Sequence, residues 1–162
     1  MYSKTRKLVF GAFVGALYAA LTLAIPFMSF LPSQLRVSEA LTILPYFSSF
    51  SVAGIFIGCL VANILSPYGV LDIIVGSLAS LIAAVLTYYI GKSNLKYKKI
   101  LAPLPAVIVN AVMVGWLISY SSNTPFMANA LSVGFGQLLS CYILGLPLLF
   151  FIDNNKKLKS YL

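Results

Sequence analysis

The chain contains no histidine, three acidic residues and two cysteines, and charged side chains make up 9% of its 162 residues. The lack of histidine removes the commonest general base and the commonest metal ligand. Cys59 and Cys141 stand singly in apolar runs, without metal-ligand spacing, and read as small reduced core residues. No nucleophile elbow, phosphate-binding loop or zinc-protease motif occurs. The chain therefore cannot hydrolyse ATP by itself, and no enzymatic activity, cofactor or metal is expected. Scarcity of charge also excludes a soluble globule. With 60% apolar residues and a mean hydropathy of +0.98, there is too little polar surface to cover one. Lipid must be the solvent.

A bilayer admits only helices or closed barrels. The apolar runs are continuous rather than alternating with period two, which excludes a barrel. Six runs are found, at about 8–25, 35–47, 52–65, 70–90, 101–120 and 126–152, separated by stretches such as "PFMSFLPSQ", "SPYG" and "SSNTP". The first follows Lys4, Arg6 and Lys7 as a signal peptide would, but five further runs make it a retained span. The expectation is one all-α transmembrane domain of six helices over residues 1–162. Basic residues outnumber acids 11 to 3, and all but Arg36 fall in three clusters: residues 4–7, 92–99 and 156–159. Cytoplasmic placement of all three requires an even number of spans between each pair, which puts both termini in the cytoplasm. The basic excess thus reads as orientation and lipid contact, not as nucleic-acid binding. The second and third runs are short, about 20 Å at 1.5 Å per residue, and are expected to tilt or to be shielded by neighbours. No internal repeat is evident, which argues against an inverted-repeat transporter.

Four charges lie outside the clusters: Arg36, Glu39, Asp72 and Asp153. Asp153 is read as part of the basic tail. Arg36 and Glu39 open the second run and Asp72 the fourth, so the other three gather toward the outer end. Acids in a first helical turn also complement the macrodipole, the plainer reading for Asp72 alone. Spacing of i and i+3 puts Arg36 and Glu39 on one helical face, where they can pair or line a cavity. Each charge would cost about 2.5 to 3.5 kcal/mol at the membrane centre, which favours facing the bundle over facing lipid. Together they leave one net negative charge, suited to a monocation or a donor-rich ligand. Asn63, Asn110 and Gln137 lie on three further runs and fit either interhelical hydrogen bonds or the same polar pocket. Phe27, Phe30, Tyr68, Trp116, Tyr120 and Phe126 read singly as interfacial anchors, though a planar heterocycle could use one or two for stacking. In "GAFVGALYAAL", Gly11, Gly15 and Ala19 form one small-residue row, and Ala12, Ala16 and Ala20 form the next. One such row serves packing within a bundle. Two adjacent rows favour a docking face for another protein.

The stretches "LRVSEALTILPYF", "GCLVANILSPYGVLDIIVGSLASL", "LAPLPAVIVNA" and "SVGFGQLLSCYILGLPLL" together resemble the QueT family over about residues 11–149. These are substrate-binding S components of energy-coupling factor (ECF) transporters. The resemblance implies a six-helix S component in the bacterial cell membrane that captures a queuosine precursor, a 7-deazaguanine such as pre-queuosine, from outside. It also implies docking on a membrane coupling subunit driven by two cytoplasmic ATPases, through the small-residue rows of the first helix. A guanine-like ring offers adjacent N–H donors that a carboxylate accepts bidentately, and its aminomethyl arm is a cation that suits a second carboxylate. Under the resemblance Glu39 and Asp72 divide these tasks in an order left open. Asn63, Asn110 and Gln137 would meet the ring's carbonyl and remaining polar edge, and Arg36 would hold Glu39 in place. The rival readings are an autonomous secondary transporter with Glu39 or Asp72 as a proton relay, a non-transporting scaffold subunit, and an S component for another vitamin or purine.

Overall fold

A backbone surrounded by lipid must satisfy its own N–H and C=O groups, and this chain does so with helices. The computed structural model describes residues 4–31 and 34–161; no strand occurs among them. Residues 32 and 33, in the loop expected after the first run, lie outside the described residues. All six expected segments are helical, with ends shifted by about a turn or less. They are α1 (Lys4–Ala24), α2 (Val37–Tyr46), α3 (Phe50–Asn63), α4 (Asp72–Lys92), α5 (Lys98–Ser122) and α6 (Phe126–Asn154). A one-turn helix, Pro26–Ser29, follows α1, and α7 (Lys156–Tyr161) ends the described chain. Helix α1 begins inside its basic cluster because lysine and arginine are good helix formers and extend the ladder past the apolar run.

By length and composition α1, α4, α5 and α6 can each cross a membrane, with 21, 21, 25 and 29 residues. Their outward faces carry large apolar side chains such as Leu8, Phe13, Leu131, Phe135 and Phe151, as a lipid-facing surface requires. Helix α2 is different. It is a 3-10 helix, and at a rise of about 2.0 Å per residue its ten residues reach about 20 Å. Every residue from Ser38 to Pro45 is buried, because α1, α4 and α6 pack around it. The shielding expected for this short segment is thus observed. Ile43, Leu41 and Leu44 of α2 join Val14, Tyr18, Ile55 and Leu149 in one core cluster. A second core lies between α4, α5 and α6 around Ala79, Leu117 and Val133.

Helices α1 and α3 run parallel and touch along their backbones. A Cβ added to Gly11 would stand 2.6 Å from the Phe50 carbonyl oxygen, and one on Gly15 would stand 2.7 Å from that of Gly54. The Gly11–Gly15 edge of the first row is therefore used within the bundle, as the plainer reading of such rows holds. Helices α5 and α6 are joined by a tight polar turn in which Asn123 is left-handed at φ 51° and Asn129 Nδ2 donates to Thr124 Oγ1 at 2.7 Å.

The chain direction places the start of α1, the α4–α5 connection and the end of α6 at one end of the bundle. Two of the three basic clusters meet there through Asp153, which the sequence shows only as part of the tail. Asp153 accepts from Lys99 at 2.5 Å and from Lys159 at 2.6 Å, tying the second cluster to the third. Folding brings Lys99 beside it from 54 positions away, which no local pattern signals.

Candidate functional site

The opposite end gathers the scarce charges. Arg36, Glu39 and Asp72 are 3%, 1% and 0% exposed, so none faces lipid or headgroups. Arg36 precedes α2 in extended conformation, at φ −98° and ψ 115°. It is therefore not on a helical face with Glu39, and of the two arrangements that i and i+3 spacing allows, a pair or a shared cavity lining, the pair does not form among the described residues. Its guanidinium reaches across to α4 instead, where Nη2 meets Asp72 Oδ2 at 3.5 Å. Arg36 Nε donates to the Ser29 carbonyl at 3.0 Å, and the guanidinium carbon lies 5.1 Å from the Phe30 ring centroid. Arg36 thus ties the post-α1 segment to α4, and the expectation that it holds Glu39 in place is corrected.

Asp72 opens a π-helical turn, Asp72–Gly76, within α4; such widened turns recur at functional sites. Its Oδ2 also accepts from Ser66 Oγ at 2.5 Å, and its carbonyl accepts from Asn63 Nδ2 at 3.0 Å. Gly76, one turn on, leaves room for this arrangement: a Cβ there would stand 2.7 Å from Asn63 Nδ2. Asn63 also donates to Cys59 Sγ at 3.4 Å, and Ser80 Oγ donates to the same sulfur at 3.2 Å. Cys59 is therefore a buried thiol, as expected, but one within a polar network.

Glu39 has a neutral partner. Tyr18 of α1 donates its hydroxyl to Glu39 Oε1 at 2.6 Å, and among the described residues Glu39 makes no ion pair. Gln137 of α6 neighbours the same carboxylate, and its Oε1 accepts weakly from Cys141 Sγ at 3.7 Å. A second π-helical turn, Leu139–Gly145, follows on α6. Asn110 is buried on α5 but makes no hydrogen bond to the other site residues. Folding thus brings Arg36, Asp72 and Asn63 into one cluster and Glu39 and Gln137 into another, with Tyr18 and Cys59 neighbouring each other between them.

Several buried polar atoms have no partner among the described residues, among them Gln34 Nε2, Glu39 Oε2, Asn63 Oδ1, Asp72 Oδ1, Ser77 Oγ and Asn110 Nδ2. Such atoms are rare because each forfeits a full desolvation cost of about 1 to 3 kcal/mol. Gln34 is also held at φ 44°, a left-handed conformation that costs a non-glycine residue roughly 1 to 2 kcal/mol. Of the six aromatics singled out in the sequence, Phe30 joins the site through Arg36. Phe27, Trp116 and Tyr120 are 71%, 49% and 66% exposed, as anchors are.

Along the outside of the α1–α3 contact runs an apolar groove of about 380 Å³. Five of the six small residues singled out on α1 line it: Gly11, Ala12, Gly15, Ala16 and Ala19. Ala20 is exposed but lies outside the lining. The opposite wall is α3, with Gly54, Ile57, Gly58 and Val61.

Residues 8–154 match the family model described as QueT transporter. The chain belongs to the QueT transporter family. Membership in this family, with four helices long and apolar enough to cross a bilayer, fits a membrane protein. A relative named Queuosine precursor transporter QueT, from Lactococcus lactis subsp. cremoris, is 39% identical over 82 residues. That match covers 49% of this chain and 48% of the relative, so the chain spans about half the length of the curated QueT relative it matches. No solved structure gives a significant match to this QueT-family fold.

Sequence reasoning missed Tyr18, Ser66 and Gln34. Tyr18 carried a signal, as the one hydroxyl-bearing aromatic in a helix otherwise built of small and aliphatic residues after Phe13. Ser66 and Gln34 stand in loops, where polar residues are ordinary.

Proposed function

We propose that this chain is the substrate-capturing S component of an ECF-type importer. In this reading all six segments lie across the bacterial cell membrane with both termini and the basic clusters cytoplasmic. The chain takes up a queuosine precursor, a 7-deazaguanine such as pre-queuosine, from the outer end. The observation that carries the reading is a set of buried, unpartnered polar atoms that includes one oxygen of each of two carboxylates on different helices. Acceptors are Glu39 Oε2, Asp72 Oδ1 and Asn63 Oδ1; donors are Gln34 Nε2 and Asn110 Nδ2. A flat heterocycle with donors and acceptors along its edges, plus one cationic arm, complements both the atom types and the net charge. Gln137 sits beside Glu39 and supplies a further amide. The name of the Lactococcus relative points to the same ligand class.

Transport then needs a motor that this chain does not carry. The α1–α3 groove, whose floor is backbone and small side chains, fits close approach by a helix of a membrane coupling subunit bound to two ATPases. The test is a thermal-shift or calorimetric panel on the purified chain with pre-queuosine, queuine, guanine, thiamine, riboflavin and biotin. Pre-queuosine and queuine are expected to bind. Glu39→Gln and Asp72→Asn should each weaken binding roughly 10- to 100-fold, the worth of a charge-assisted hydrogen bond. Unchanged affinity in both variants would sink the assignment. Ala16→Trp, which fills the groove, should leave ligand binding intact and abolish assembly with the coupling subunit. Uptake into vesicles by the chain alone, driven by a pH gradient, would establish the proton-relay alternative instead.

A further inference from the structure

The two carboxylates are not equivalent, and the difference assigns their roles. Asp72 has its charge answered inside the protein: the Arg36 guanidinium lies 3.5 Å from Oδ2, and Ser66 donates to the same oxygen. Its other oxygen, Oδ1, is unpartnered but belongs to a carboxylate that is already neutralised as a pair. Glu39 is equally buried, yet its near partners, the Tyr18 hydroxyl and the Gln137 amide, carry no charge, and its Oε2 is unpartnered among the described residues. Arg36 acts on Glu39 only at longer range, because its near contacts are committed to Asp72, Ser29 and Phe30. One guanidinium cannot fully offset two carboxylates. Glu39 is therefore the carboxylate with no cation within ion-pair distance among the described residues, beneath the Tyr18 hydroxyl and beside Gln137.

Resting on the reading of the site as a ligand pocket, we infer that Glu39 receives the ligand's cationic arm and that Asp72 Oδ1 receives neutral N–H donors of the ring. A cation placed at Asp72 would confront Arg36 across the same carboxylate and meet like charge. A cation placed at Glu39 completes a buried pair. The pocket consequently selects a primary or secondary ammonium over a neutral substituent on the same ring, and Glu39 is the residue that determines this specificity. Tyr18 is a positioning residue, fixing the carboxylate through Oε1 so that Oε2 faces the ligand.

The experiment is calorimetry on the full chain in detergent with a matched pair of ligands. These are 7-aminomethyl-7-deazaguanine, cationic at neutral pH, and 7-cyano-7-deazaguanine, which is neutral. The unmodified chain should prefer the amine by roughly 10- to 100-fold, the worth of one charge-assisted bond. Glu39→Gln should bring the ratio close to one. Asp72→Asn should weaken both ligands in parallel and keep the ratio. A ratio that survives Glu39→Gln, or that Asp72→Asn alone removes, overturns the inference. Glu39→Asp provides a check against misfolding: it keeps the charge and should keep a preference for the amine, and its loss counts against the assignment. Thiamine, a cationic heterocycle without the deazapurine ring, separates the two levels. Binding of thiamine but of neither deazapurine would remove the ring assignment. A Glu39-dependent, Asp72-tolerant thiamine affinity would still uphold the charge assignment, and the reverse pattern would overturn it.

Discussion

Substituting Asp72 by asparagine removes one charge from a buried pair while preserving the shape of the side chain. At 3.5 Å, and with an effective dielectric of about 20, the Arg36–Asp72 attraction is worth roughly 4 to 5 kcal/mol. Arg36 keeps its bond to the Ser29 carbonyl and its place over Phe30, which offset part of the loss. Breaking a buried pair from one side generally costs about 3 to 5 kcal/mol, and the retained contacts place this site near 3 to 4 kcal/mol. For a chain of this size each kcal/mol shifts the unfolding midpoint by about 2 to 4 °C, so a fall of about 6 to 16 °C is expected. The assay is thermal unfolding of the purified chain in detergent, run without ligand and followed by Trp116 fluorescence. Arg36→Met and the double variant complete a cycle. Removing both partners leaves no orphaned charge, so the double variant should be more stable than the sum of the single losses by at least about 1 kcal/mol. Additivity within about 0.5 kcal/mol would show that the pair is not coupled, and the tie between the post-α1 segment and α4 would have to be abandoned.

Two further substitutions probe the same scaffold. Tyr18→Phe deletes the donor to Glu39 Oε1, a 2.6 Å bond to a charged group, and should cost about 1.5 to 3 kcal/mol in the same unfolding assay; an unchanged midpoint would mean the bond contributes nothing. Gly54→Ala drives a methyl group into the Gly11 carbonyl of α1, where backbone cannot yield. Overpacking there should cost about 1 to 3 kcal/mol, seen as a lower midpoint, and an equal or higher midpoint would contradict the close α1–α3 approach.

The lipid-facing class, the helical segments and the inventory of polar residues were legible because each depends on local composition. An apolar run of fixed length in a medium without water can only be a helix, whichever neighbours it has. Charges in such a chain are costly enough that Arg36, Glu39 and Asp72 had to face inward, and they do. Their partners were not legible. Spacing of i and i+3 suggested Arg36 with Glu39, but that rule holds only where both residues sit on one α-helix, and Arg36 lies outside the 3-10 helix that holds Glu39. Asp153 reads only as tail in the sequence for a similar reason: its partner Lys99 comes from a connection far off in the chain.

Composition was enough to place this chain in lipid, to make its backbone satisfy its own hydrogen bonds and to single out the few side chains too polar to meet lipid. Which carboxylate is paired with a cation, and which glycine edge is consumed within the bundle, emerges only when the helices have packed. Solvation acts on each segment separately and is written in composition. Pairing depends on distances of a few ångströms between helices far apart in the chain, and those distances exist only once the bundle has closed.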